Sequence, residues 1–565
     1  MGRFISYILL HLLIVCADTE GSVTNGEKTG SKPTIYETVD SVVSCSVCQM
    51  LVGMVHAAAK SNLPLFLAEL QFVAICKFVQ NSEVCKGIFD TFIPHVLPAF
   101  KQVQIGPEEI CSMLIEECPQ ITIPSHEWTV KLPNVSKSLP QKRHTFQKSS
   151  KPIKVLQIND IHLDLEYAVG SVSNCGEPHC CRNFSTESIF ATKIPAGRWG
   201  DYRCDIPLET LEYFLESIAK QHPDIAYIMW LGDIVPRDIW RQTKLRQIVP
   251  HRRGISVLKR IFPNMLILPT IGNHDTAPDG CYPPPWVSDP KFSISWLSKK
   301  LVKFWMDWIP SSQKRNVLHG AYYSIHPRPG LRVLSLNTNY CHCRNWWLYI
   351  NSIDPAEQLE WLVNELHKAE ISGERVHIIG HMPPGDKDCL RVWSRNYYDI
   401  VTRYENIITA QFFGHTHTDG FQVFYDSKNH SRPVNVAYIG SSVTPSDNVN
   451  PSYRIYYFDG GDSGSSWKVM DYETWTLDLD KANRNPQHSP EVFKLYSAKE
   501  AYGLENLDPT EWSNLIYRMQ EDPELFEKFY RNHFTDSPMR ETYDARDKMR
   551  LLCELKSAKS RVGYL

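Results

Sequence analysis

The sequence predicts a layered α/β core, preceded by a small all-α module and followed by a helical region. Three patterns carry that prediction. Apolar, β-rich runs alternate with helical stretches between residues 153 and 417, six cysteines between 45 and 118 bracket residues of helical periodicity, and proline-capped helix starts recur after residue 476. A chain of 565 residues exceeds what one core ordinarily holds, so two or three domains are expected.

The N-terminal MGRFISYILLHLLIVCA joins Arg3, an apolar stretch and a small-residue site at Val15-Cys16-Ala17, which predicts a signal peptide over 1–17. No later stretch reaches the ~18 uninterrupted apolar residues of a transmembrane helix, so no membrane span is expected. Removing Cys16 from the sixteen cysteines leaves fifteen in a chain on an oxidising route, which predicts disulfides and one thiol left over. N-x-S sequons at Asn134, Asn183 and Asn429 are candidate glycosylation sites. Basic and acidic residues number 60 and 63, a balance that provides no electrostatic footprint for nucleic acid and no polybasic membrane anchor.

Residues 41–122 form the first unit. Cys45-x2-Cys48 is followed by Cys76, Cys85, Cys111 and Cys118, with Val47, Met50, Leu51 and Met54 at i, i+3, i+4 and i+7 and a second apolar helix-length run from Leu65 to Val79. A unit this small needs such staples, and six cysteines allow fifteen pairings. Residues 123–151 are rich in Pro, Ser, Lys and His without periodicity, and are expected to be a linker.

The core is expected over 152–475. Its apolar runs are IKVLQIND, DIAYIMWLGD, NMLILPTIGNHD, LRVLSLNTNY, RVHIIGH and IITAQFFGHTH, with helices over Pro207–Lys220 and Pro355–Ala369 among them. Three later runs, VNVAYIGSS, YRIYYFDG and WKVMDYETWTLDL, lie too close together for intervening helices and read as an antiparallel meander. Over 476–565 the pattern turns helical, with starts expected at Ser489-Pro490-Glu491 and Asp508-Pro509-Thr510-Glu511.

Five of the six core runs end in residues that ligate metals. Asp160 and His162 follow the first, Asp233 the second, Asn273, His274 and Asp275 the third, His381 the fifth, and His415 and His417 the sixth. Ligands gather outside the carboxyl ends of parallel strands, so these residues should converge. Residues two apart on a strand share a face, so His415 and His417 should project side by side. Asp160, His162, Asp233, Asn273, His381, His415 and His417 offer oxygen and imidazole nitrogen only, too many for one tetrahedral ion and about right for two, with zinc favoured.

In that order, D-x-H, GD, GNH-D, GH and GHTH resemble the signature of calcineurin-like metallophosphoesterases, which implies a layered α/β sandwich. The resemblance implies one ion held by Asp160, His162, Asp233 and His417, and a second by Asp233, Asn273, His381 and His415. It also implies that His274 faces the substrate phosphate and that Asp275 orients His274. Purple acid phosphatases carry D-x-G and GD-x-x-Y; His162 and Pro236 stand at those positions here, which argues against ferric iron.

The spacing of the first six cysteines resembles a saposin B-type domain, which implies the nested pairs Cys45–Cys118, Cys48–Cys111 and Cys76–Cys85. A saposin-like module ahead of this core resembles the acid sphingomyelinase family, as do INSIDPAEQLEWLVNEL, HIIGHMPPG, NYYDIVTRYENIITAQFFGHTHTD and GSSWKV. That resemblance implies Cys175–Cys180, Cys181–Cys204 and Cys341–Cys389, and leaves Cys281, Cys343 and Cys553 unassigned. Many members carry histidine four residues after the GD aspartate. Arg237 stands there, unable to donate a proton but able to stabilise phosphate charge, which shifts the proton-donor role onto His274.

The function implied is hydrolysis of sphingomyelin to ceramide and phosphocholine, by water activated between two zinc ions, with His274 as general acid. The substrate would be met in membranes or lipoproteins through the saposin-like module, by a monomer that is secreted or lysosomal. The rival readings are a soluble nucleotide phosphodiesterase on the same metal core and a non-enzymatic lipid-binding protein.

Overall fold

A computed structural model describes residues 45–61, 65–77, 80–115, 118–134, 137, 152–183, 193–462 and 464–560. The expected signal peptide lies outside them. Helices α1 (Cys45–Lys60), α2 (Leu65–Cys76), α3 (Ser82–Phe100) and α4 (Pro107–Leu114) form the N-terminal module. Asn81 caps α3 by accepting from the Val84 amide, and Glu109 caps α4 through the Gly106 amide. Cys45–Cys118, Cys48–Cys111 and Cys76–Cys85 are bridged within it.

Among the described residues fourteen strands follow: β1 (Ile153–Ile158), β2 (Leu163–Asp164), β3 (Ile206–Pro207), β4 (Ile225–Trp230), β5 (Ile267–Pro269), β6 (Tyr323–Arg328), β7 (Leu331–Ser335), β8 (Arg375–Ile379), β9 (Ile408–Phe413), β10 (Gly420–Tyr425), β11 (Pro433–Ile439), β12 (Ser452–Phe458), β13 (Val469–Leu477) and β14 (Val492–Ser497). Two are only a short parallel pair, β2 with β3. The others build two six-stranded mixed sheets, β14-β13-β12-β1-β4-β5 and β10-β11-β9-β8-β7-β6. In the first, β1, β4 and β5 run parallel; in the second, β7, β8, β9 and β11 do.

The sheets pack face to face. Phe412 on β9 meets Tyr456 and Phe458 on β12, with ring centroids 4.7 and 5.8 Å apart. Alternation along β8 sends His377 and Ile379 into this interior, while Val376 and Ile378 join an outer core with the helices Gln358–Ser372 and Arg391–Arg403. The helix Leu208–Gln221 buries Leu211, Phe214, Leu215 and Ile218 against the first sheet.

Three expectations need correction. The Ser489-Pro490 helix start is absent: Val492–Ser497 is β14, paired antiparallel with β13 at the end of the first sheet. Val492 and Tyr496 are buried there and Phe493 and Leu495 half-buried around the exposed Lys494, a short apolar run that the preceding proline masked. Asp508 and Pro509 do begin a helix, Pro509–Glu521. The expected meander is β12-β13-β14, because β11 crosses to the second sheet and pairs parallel with β9. The linker expected over 123–151 is docked in its first half, where Ile123 and Val130 are buried and Val130 N donates to Asn396 Oδ1 at 2.7 Å.

The module rests on the core. Phe100 packs on Trp346 and Tyr349, and Gly87 lies so close to Trp240 that a Cβ there would stand 2.3 Å from the Trp240 carbonyl oxygen. Cys175–Cys180, Cys181–Cys204 and Cys341–Cys389 are bridged in the core. Cys281, Cys343 and Cys553 stand outside these bridges, where the cysteine count alone left one over. Asn134, Asn183 and Asn429 are all exposed. No helix among the described residues is long and apolar enough to cross a membrane.

Candidate metal centre

Five strands of the sandwich deliver seven side chains to one place. Asp160 and His162 follow β1, Asp233 follows β4, Asn273 follows β5, His381 follows β8, and His415 and His417 follow β9. His162 Nε2 lies 3.1 Å from His417 Nε2 and 3.7 Å from Asp233 Oδ2. His417 Nε2 is 3.5 Å from Asp160 Oδ1. On the other side His381 Nε2 is 3.2 Å from Asp233 Oδ2, 3.1 Å from Asn273 Oδ1 and 3.3 Å from His415 Nδ1. Asp233 Oδ2 therefore touches both groups, and the two clusters Asp160/His162/His417 and Asp160/Asp233/His381 each hold their ligand atoms within 4.8 Å of one another.

The backbone explains how the loops achieve this. His415 and His417 do not extend β9, which ends at Phe413; both sit in a turn with φ of 74° and 58°. Asp160, His162 and Asp233 share that left-handed region, at φ 51°, 44° and 52°. Non-glycine residues are uncommon there and cost energy, so surrounding bonds must enforce the conformation. They do: Asp160 N donates to Gly232 O, His162 N to Asp233 O, Gly414 N to His381 O, and His415 N to Asp160 Oδ2. Gly414 is required by close approach, since a Cβ there would meet Asp160 Oδ2 at 2.5 Å.

The outer imidazole nitrogens identify the inner ones. His162 Nδ1 bonds Val235 O at 2.8 Å and His381 Nδ1 bonds Leu231 O at 2.7 Å, so each ring carries its proton outward and turns an Nε2 lone pair to the centre. His417 Nδ1 lies 2.6 Å from Asp447 Oδ2, which gives it the same sense. His415 is reversed: Nδ1 faces His381, while Nε2 is 3.8 Å from Asp388 and 4.0 Å from Asp386.

These groups fit divalent cations. Asp160 Oδ1 is buried without a hydrogen-bond donor among the described residues, although imidazole nitrogens of His417, His381 and His162 stand 3.5, 3.8 and 4.0 Å away. Burial opposes ionisation of Asp233, but the His381 and His274 imidazoles hold its carboxyl well below the usual carboxylate range. Burial works against charge at His417, while the Asp447 and Asp160 carboxylates favour positive charge there, the charge that a bound cation would supply in place of a proton. Anionic oxygens and inward lone pairs with no cysteine suit zinc, manganese or iron.

Two sequence expectations change. Asp275 does not reach His274: its carboxylate accepts from the amides of Asp233, Ile234 and Gly272, bracing the loop that carries Asp233. The carboxylate beside His274 is Asp279, whose Oδ1 lies 3.2 Å from His274 Nδ1 and also accepts from Asn273 Nδ2 at 3.2 Å. Arg344 pairs with the other oxygen of Asp279. Nothing in the sequence marks Asp279 or Arg344 beyond the nearness of Asp279 to Asn273. Arg237 is not poised alone over the centre. Its guanidinium bonds Asp205 at 3.1 Å and Asp447 at 2.7 Å. His274 is buried, with its ring edge-on to His162 at 5.0 Å.

A sandwich with such a centre at its strand ends defines a metal-dependent phosphoesterase, and residues 153–419 match the family model described as calcineurin-like phosphoesterase. The chain is 38% identical over 523 residues to a sphingomyelin phosphodiesterase of Homo sapiens, covering 92% of this chain and 82% of that protein. It is 34% identical to sphingomyelin phosphodiesterase 2 of Caenorhabditis elegans over 94% of this chain and 89% of that one. An acid sphingomyelinase-like phosphodiesterase 3b of Mus musculus is 28% identical over 66% of this chain and 81% of its own. The chain belongs to the acid sphingomyelinase family.

Proposed function

We propose that this protein hydrolyses the phosphodiester of sphingomyelin to ceramide and phosphocholine at a centre of two zinc ions. The observation that carries the reading is the convergence of seven side chains from both sheets of a chain whose relatives are sphingomyelin phosphodiesterases. Asp160, His162, Asp233 and His417 would hold one ion, and Asp233, Asn273, His381 and His415 the other. Bound there, the ions supply an acidified water and neutralise charge on the phosphoryl oxygens.

The protein's own groups do the rest. Asp275 fixes the Asp233 loop, and the bonds of His162 and His381 to backbone carbonyls fix which nitrogen faces inward. To His274 falls the proton that passes to the departing ceramide oxygen: burial holds the free imidazole well below the ordinary histidine value, and the anionic phosphodiester beside it would raise it. With Asp279 beside Nδ1, Nε2 is the nitrogen left to donate it. Arg237 acts from behind the centre rather than on the phosphate.

A headgroup bond lies at a lipid surface, and the N-terminal module supplies docking. Helix α2 is mostly apolar, and Phe66 and Leu70, one turn apart, are 59% and 64% exposed. The protein works as a monomer on membranes or lipoproteins, outside the cell or in the lysosome, with glycans at Asn134, Asn183 and Asn429. The test is product release from sphingomyelin, phosphatidylcholine and a nucleotide diester, each with and without added zinc. Ceramide and phosphocholine as the dominant products support the reading, and preference for the nucleotide overturns it.

A further inference from the structure

His417 differs from His162 and His381 in having a carboxylate rather than a backbone carbonyl behind its Nδ1, and the residues beyond it form a chain of alternating acidic and basic side chains. Asp447 Oδ2 lies 2.6 Å from His417 Nδ1 and accepts from Arg237 Nη1 at 2.7 Å. Arg237 in turn donates through Nε to Asp205 Oδ1 at 3.1 Å and through its backbone amide to Asp205 Oδ2 at 2.8 Å. Asp205, fully buried, receives Ser446 Oγ at 3.3 Å and has His179 Nδ1 at 3.6 Å. His179 Nε2 reaches Asp164 at 3.1 Å, and Asp164 bonds Arg182 at 2.8 Å. Asp205 follows Cys204 and Arg182 follows Cys181, so the Cys181–Cys204 bridge ties the far end of the chain together.

We infer that Arg237 and Asp447 are positioning residues for the first metal site: Arg237 holds Asp447, and Asp447 fixes the tautomer and aim of His417. The inference rests on the metal-centre reading above. Three features support it. Asp447 holds a left-handed backbone, φ 70°, so its placement is enforced by its surroundings. One Asp447 oxygen is shared by the imidazole and the guanidinium, so the two contacts are coupled. Arg237 has a carboxylate partner on either side, which occupies the fork that would otherwise clamp a phosphate. Behind His415, Asp388 and Asp386 stand at the longer distances of 3.8 and 4.0 Å, so the two metal sites should differ in how much they depend on an outer carboxylate.

The experiment is chelator competition on the purified full chain loaded with zinc, read as metal retained per chain, together with kcat and KM at saturating zinc. Carboxylates behind metal-bound histidines contribute ~10–100-fold to affinity. Asp447→Asn and Arg237→Gln should each weaken one of two zinc equivalents within that range, leave KM for substrate near the wild-type value, and be partly rescued in Arg237→Lys. If Asp447→Asn does not fold, Arg237→Gln, at a partly exposed position, makes the same test. Unchanged zinc affinity with a raised KM in Arg237→Gln would overturn the inference and return Arg237 to the substrate. A wild-type protein that binds no zinc would instead overturn the metal-centre reading itself.

Discussion

Around the metal centre, Asp160, His162, Asp233, His415 and His417 all occupy left-handed backbone, whereas in α1 to α4 no described residue does. The two regions hold their shapes by opposite means. The centre stores strain in loop residues and restrains it with amide bonds, buried carboxylates and two packed sheets. The module is relaxed helix, closed by three disulfides, with apolar side chains turned outward. Chemistry needs atoms fixed to fractions of an ångström, while docking needs only a surface.

The comparison sharpens into variants. The largest effect belongs to the centre: His274→Ala should keep its metal and lose ~10²–10⁴-fold in turnover. Wild-type activity in that variant would remove His274 from the reaction. Next comes the module's surface. Phe66→Ser with Leu70→Ser should depress hydrolysis in vesicles by tenfold or more, since burying each side chain is worth ~1.5–3 kcal/mol, and spare a water-soluble phosphodiester. Equal loss on both substrates would make α2 merely structural. Point changes are preferable to deleting the module, because Trp240, Trp346 and Tyr349 of the core are packed against it.

The seam between the regions is tested by Gly87→Ala, whose Cβ would meet the Trp240 carbonyl oxygen at 2.3 Å. Denaturant unfolding should show a loss of ~3 kcal/mol, and an unperturbed midpoint would mean that the seam yields freely. The smallest effect is a pH response between the sheets. Burial lowers His377 from the ordinary 6.5 to about 4, with partial relief from the Trp467 carbonyl. Its folded value is depressed, so its neutral form supports the fold above pH 6.5, and that support drains as pH falls toward 4. The thermal midpoint should drop between pH 7 and 5 by the equivalent of ~2 kcal/mol, and by less in His377→Gln. Parallel drops in both proteins would exclude His377 as the source.

Much of the centre was legible because parallel strands buried on both faces read as apolar runs, and five of the six runs ended in a ligand-type residue. The helical module was legible from cysteine spacing and periodicity. Asp279, Asp447 and Arg344 were not, because a lone charged residue in a loop has no period and its partner is far away in sequence. The left-handed turn at His415 and His417 was read as strand for a related reason: nothing local distinguishes two residues alternating on a strand from two held in αL by distant amides. β14 and the crossing of β11 depend on long-range pairing, which apolar runs alone do not specify.

The most direct test is elemental analysis of the purified chain beside Asp233→Ala. If the strand-end residues gather around two shared cations, the wild type should carry two divalent transition-metal ions per chain and the variant, lacking the carboxylate common to both groups, should lose them together with activity. A wild-type sample without transition metal whose hydrolysis ignores chelators would contradict the account.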